Sequence, residues 1–150
     1  MSKEHMICST EEARLLWHTS WTCAPAAAIQ YFYYSNTDIA AISLLVLMSS
    51  LLYWHKPTYG WRRNTDMICV FIGLTHNMYC ASSATNPNSY YFFTALGVNM
   101  YGIGWYYYKR GELYKSIYIH SLVHICANIA NTCLSSSQLN HTPIVQFLST

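Results

Sequence analysis

Residues 114–134 read YKSIYIHSLVHICANIANTCL and carry one charge, Lys115, next to their start. A helix of that length and composition can cross the roughly 30 Å hydrocarbon core of a bilayer, which takes about 20 apolar residues. Within it His120 and His124 lie four residues apart. At that spacing both imidazoles share one helix face, with Cβ atoms about 5–6 Å apart. An ionisable side chain at membrane depth costs about 2.5–3.5 kcal/mol on insertion scales and so marks either a functional site or a polar packing seam. Ser116, Asn128 and Thr132 continue the four-residue step, with Asn131 beside them. This face is expected to point into a bundle. There the asparagines and the threonine either fix the histidine rings or hydrogen-bond to neighbouring helices.

The rest of the chain agrees with a membrane setting. It has 150 residues, 53% hydrophobic and only 9% charged, against about a quarter charged in soluble domains. Residues 67–108 contain no Lys, Arg, Asp or Glu at all. The net charge of +2 and the placement of basic residues beside apolar segments argue against nucleic acid as a partner. Membrane lipid is the expected neighbour. The six cysteines form no C-x-x-C pair and mostly fall in apolar segments, so they read as small buried hydrophobes rather than as disulfides or zinc ligands.

Working outward from residues 114–134, three more spans are expected, at residues 38–54, 66–84 and 90–108. Lys56-Pro57 closes the first and Asn86-Pro87-Asn88 the second. Gly97, Gly102 and Gly104 in the third are small enough to let another helix approach closely. Upstream, Ser9 followed by Glu12 has the form of a capping box opening a short helix. Residues 21–34 are apolar and aromatic but too short to span and contain Pro25, so they read as a re-entrant or interfacial piece. The sequence therefore predicts an all-α membrane bundle of about four transmembrane helices in three parts. Residues 1–36 form an N-terminal interfacial segment, 37–134 the bundle, and 135–150 a polar tail.

Loop charge orients it. Lys56, Arg62 and Arg63 follow the first span, and Lys109, Arg110 and Lys115 follow the third, whereas the loop after the second has no charge. With four spans the positive-inside rule puts both basic loops in the cytosol and both termini on the other side. The sequon Asn140-His141-Thr142 then lies where it can be glycosylated.

Counting spans also gathers the polar residues. His55 ends the first span, Asp66 opens the second, and His120 and His124 lie near the start of the fourth, all at one end of the bundle. Three imidazoles supply the ligand number of a catalytic zinc, with a fourth position for water. Zinc would bring the pKa of that water towards about 7, and Asp66 would orient it or act as general base. Each residue also has a plainer reading. His55 suits an aromatic interfacial belt, Asp66 a helix start favoured by the macrodipole, and the histidine pair a packing seam. His76, beside Asn77 in the second span, is a competing ligand.

Residues 48–66, MSSLLYWHKPTYGWRRNTD, together with HSLVH at residues 120–124, resemble the superfamily containing the alkaline ceramidases and the adiponectin and progestin receptors, which are seven-helix membrane hydrolases. The resemblance implies a zinc ion (Zn) held by His55, His120 and His124, with Asp66 and Ser50 positioning the water or a substrate amide. It implies hydrolysis of a lipid amide or ester. With four spans instead of seven, a second copy or a partner membrane subunit would complete the pocket wall. The alternative is a non-enzymatic structural or accessory membrane protein whose polar side chains pack helices.

Overall fold

The computed structural model describes residues 8–137. They form six α-helices and, among the described residues, no β-strand: α1 (Thr10–Ser20), α2 (Cys23–Phe32), α3 (Thr37–His55), α4 (Trp61–Ser82), α5 (Asn88–Lys109) and α6 (Leu113–Ser136). Two of these, α3 and α6, are long and apolar enough to cross a membrane. The other two expected spans exist as helices of 22 residues each. Their mean hydropathy is lower, because α4 carries Arg62, Arg63, Asp66, His76 and Asn77, and α5 is rich in tyrosine and glycine. The polar tail after residue 137, with its sequon at Asn140, lies outside the described residues.

The N-terminal segment differs most from the expectation of an interfacial piece. The Ser9–Glu12 capping box forms: the Glu12 N–H donates to Ser9 Oγ at 3.2 Å, and the Ser9 N–H donates to Glu12 Oε2 at 2.8 Å. From there α1 and α2 run nearly end to end. Pro25 has no N–H to offer the Trp21 carbonyl. The junction tightens into three-residue turns, with Trp21 bonded to His18, Thr22 to Thr19 and Ala24 to Trp21. Trp21 and Thr22 nevertheless stay right-handed helical. The result is one rod of about 34 Å, tightened at its middle.

This rod lies in the bundle and packs against both α3 and α6. Ala13, Leu16, Ser20, Ala27 and Gln30 along it are almost wholly buried. Its start meets the C-terminal end of α3 and the first turns of α6, in an apolar cluster of Cys8, Ala13, Leu16, Tyr53, Trp54 and Ile117. Its far end is tied by the Asn36 amide, which donates to the Ser135 carbonyl at 2.8 Å. At that end a second apolar cluster joins Ile39, Cys80, Ala81, Tyr90, Ala130 and Leu134.

The two clusters fix the topology. Five rods alternate in direction between them: α1 with α2, then α3, α4, α5 and α6. The start of α1 therefore shares an end with both basic loops, instead of lying at the opposite end as four spans would require. At the margins, α4 packs chiefly on α3 and α5 chiefly on α6. A Cβ added to Gly97 would sit 3.5 Å from Cys126 Cβ, and one on Gly104 would sit 3.5 Å from the Ser116 carbonyl oxygen, so these two glycines let α5 lie close to α6. Gly102 faces open space.

Candidate functional site

Between the two apolar clusters the rods meet through polar side chains. On α3, Ser49 and Ser50 are buried; Ser50 donates to Asp66 Oδ1 at 2.7 Å, and the one Ser49 hydroxyl proton is shared between Asp66 Oδ1 at 2.9 Å and the Val46 carbonyl at 3.0 Å. Asp66 is buried too. It does not open its helix: α4 starts at Trp61 with Gly60 as N-cap, so the carboxylate sits in the second turn and caps nothing. Gly60 has φ 140°, in the glycine-favoured region, and this lets the chain turn into α4 one turn earlier than the polar pattern suggests. A buried carboxylate needs donors, and the adjacent serines supply one undivided bond, from Ser50, and one shared, from Ser49.

On α6, His124 Nδ1 lies 3.3 Å from Ser20 Oγ. The Ser20 hydroxyl donates its one proton to the Leu16 carbonyl at 2.8 Å. Ser20 must therefore accept from His124, which puts the imidazole proton on Nδ1 and leaves the Nε2 lone pair free. One turn further on, the Asn128 amide donates to Thr22 Oγ1 at 2.7 Å, while that hydroxyl donates to the Thr19 carbonyl at 2.6 Å. The junction between α1 and α2 is thus stitched to the polar face of α6 twice. Asn128 bonds across helices and does not steady a histidine ring.

His120 is held by rings. Its centroid lies 5.5 Å from Trp54, 5.7 Å from Tyr101 and 5.6 Å from His124. Trp54 follows Ser50 by one helical turn and shares its inward face. His55 is one residue further, about 100° around the helix, and its side chain is exposed. The structure therefore brings together Ser50 with Asp66, and His120 with His124, but leaves His55 outside. His76 lies towards the other end, against Asn77, whose amide donates to Asn131 Oδ1 at 2.9 Å.

Among the described residues no three His, Cys, Asp or Glu side chains stand together as a metal site. With Trp54 in the third position, the imidazole pair does not match the three-nitrogen set of a catalytic zinc. All six cysteines are free thiols, five of them buried. The sequence reading missed Ser20, Thr22, Ser49, Trp54 and Tyr101. Only Ser49 had a signal, its place beside Ser50. The others depend on the path of the N-terminal rod and on the rotation of α3 and α5. No protein family, curated protein or solved structure matches the chain.

Proposed function

We propose that the chain is an integral membrane protein that crosses the bilayer five times, its N-terminal rod making the first crossing. On this reading it is a structural or accessory subunit whose interior polar side chains lock the helices together. One observation carries it, the inversion of polarity between inside and outside. Phe71, Met48 and Phe92 are 69%, 68% and 63% exposed, whereas Ser20 and Gln30 are fully buried. Water penalises both halves of that arrangement and hydrocarbon favours both. Several interior groups also answer one another, although Gln30 Nε2 and Trp54 Nε1 are buried without a partner among the described residues. Gln30 accepts from Ser43 at 2.8 Å, alongside the Ser–Asp, His–Ser, Asn–Thr and Asn–Asn bonds, each a link between different helices of about 0.6 kcal/mol. Five crossings with the basic loops in the cytosol put the N-terminus there as well and the C-terminus on the other side.

The test is alkaline extraction of membranes from expressing cells, combined with tags at each terminus. The protein should stay in the membrane pellet. The N-terminal tag should be accessible from the cytosol, and the C-terminal tag, or a glycan on Asn140, should be on the opposite side. Release into the supernatant, or both tags on one side, would overturn the reading.

A second reading, hydrolysis of a lipid amide or ester, is supported by Asp66 holding two serine hydroxyls in the same polar layer as the imidazole pair. Zinc, which the resemblance implies, finds two imidazoles here instead of three, and no step through it follows. The purified chain should then turn over a lipid amide, with Asp66→Asn abolishing turnover in a folded protein. Absence of turnover in the wild type would leave the packing role alone.

A further inference from the structure

We infer that the rim built by the α3–α4 and α5–α6 loops binds the headgroups of anionic phospholipids; this rests on the membrane-embedded reading above. Five cations at this end each lie over an aromatic ring. Arg62 is 5.5 Å from the Trp61 centroid, Arg63 5.6 Å from Tyr59, Lys109 5.3 Å from Trp105, Arg110 5.4 Å from Tyr106 and Lys115 5.4 Å from Tyr107. The hydroxyls of Tyr59 and Tyr108 meet at 2.9 Å, so the two loops form one surface. Lys115 is paired with Glu112. Arg62, Arg63, Lys109 and Arg110 form no salt bridge among the described residues, although the charge of Arg110 also acts on the Glu112 carboxylate.

The ring contacts explain why these charges suit phosphate in particular. A guanidinium resting on an aromatic face keeps its N–H edge free, and that planar fork fits phosphate oxygens two at a time. Arg110 uses one N–H in a bond to Tyr106 Oη at 2.8 Å, which holds the group in place and leaves its other N–H groups for phosphate. The supporting Tyr59, Trp61, Trp105 and Tyr106 rings are themselves exposed. Their mixed polarity suits headgroup depth, which sets the cations level with lipid phosphates. The opposite rim offers no such surface. The α4–α5 connection has no Lys, Arg, Asp or Glu, and the one such residue in the described helix ends and turns on that side is the acidic Asp38.

The experiment uses the purified full chain in neutral detergent, titrated separately with short-chain phosphatidic acid, short-chain phosphatidylcholine and inorganic phosphate. Fluorescence of Trp61 and Trp105 and the unfolding temperature are the readouts. Phosphatidic acid should bind and raise the unfolding temperature, while the other two have little effect. Arg63→Gln/Arg110→Gln should weaken binding roughly thirtyfold, about fivefold for each charge removed at the surface. Should that variant fail to fold, Arg62→Gln/Lys109→Gln carries the same test. Equal binding of phosphatidylcholine, equal binding of free phosphate, or unchanged affinity in a folded double variant would each overturn the inference. Failure of the membrane reading shows separately, as a chain released by alkaline extraction.

Discussion

Trp54 meets His120 ring to ring at 5.5 Å, on the inward face of α3, while His120 meets His124 at 5.6 Å. His55, one residue along, turns outward because each helical residue rotates by about 100°. A single position on α3 therefore decides which side chain faces His120.

That relationship makes Trp54→His a gain-of-site experiment. An imidazole on the inward face of α3 would join the Nε2 lone pair that the Ser20 contact leaves free on His124. Metal analysis after equilibration with zinc should find close to one ion per chain in the variant. The wild type and Trp54→Phe should hold little. Stoichiometric zinc in the wild type, lost on His55→Ala, would refute the assignment of Trp54 as the inward residue.

The glycines of the marginal helices separate by what a side chain would meet. Gly102→Ala points into open space and should stabilise, by about 0.5–1 kcal/mol, through the helix preference of alanine. Gly73→Ala would press on Ile42 Cγ2 at 3.0 Å, across the α3–α4 contact, and should destabilise unless Ile42 shifts. Gly104→Leu should separate α5 from α6, with a cost of about 1–3 kcal/mol or more expected for overpacking. Thermal unfolding in detergent gives the ranking, Gly102→Ala first and Gly104→Leu last. Equal effects at all three positions would mean that α5 and α4 are not packed as described.

The sequence disclosed the later helices and concealed the first rod, and the reasons are physical. Helices α3 to α6 announce themselves through long apolar runs closed by Lys56-Pro57 or Asn86-Pro87, and their ends fall within a few residues of the expected ones except at the start of α4, which comes at Trp61 instead of Asp66. The rod of α1 and α2 does not, because Glu11, Glu12, Arg14 and His18 dilute its first half and Pro25 interrupts its second. Its membership in the bundle comes from partners remote in sequence, such as Ser20 with His124 and Asn36 with Ser135. In the candidate site, the pairing of His120 with His124 is local to one helix and could be read from spacing alone. The choice between Trp54 and His55 depends on the rotation of α3 against α6, which no local pattern encodes.

Asp66 separates packing from chemistry. Ser50 gives its proton to Asp66 Oδ1, and Ser49 divides its own between that oxygen and the Val46 carbonyl, so Asp66→Asn keeps an acceptor for both, whereas Asp66→Ala leaves the buried Ser50 hydroxyl without its partner. Loss of a buried partner costs about 1–3 kcal/mol. The alanine variant should therefore unfold at a clearly lower temperature in detergent, with the asparagine variant near wild type. Ser49→Ala/Ser50→Ala in the Asp66→Asn background should then change stability less than in the wild type, because the bonds to a neutral amide are weaker. If asparagine proves as damaging as alanine, the carboxylate serves something other than these two bonds.

Cys8 reports on the end of the bundle where Trp54 lies. Its thiol is buried with Ala13, Leu16, Tyr53 and Trp54, and its pKa is raised to about 11, by burial first and by the charge of Glu12 second. Since the thiolate is the reactive form, maleimide should label Cys8 slowly at neutral pH, with the rate climbing as the pH approaches 11. The sign for stability follows from the same shift. The neutral thiol is favoured in the folded chain, so its contribution is complete below the ordinary thiol pKa and is lost as pH rises through the raised one. Leu16→Ala should open the cluster and speed labelling at neutral pH, while leaving Cys80, in the cluster at the opposite end, as slow as before. Fast labelling of Cys8 in the intact protein would show that the start of the N-terminal rod is not seated against α3 and α6.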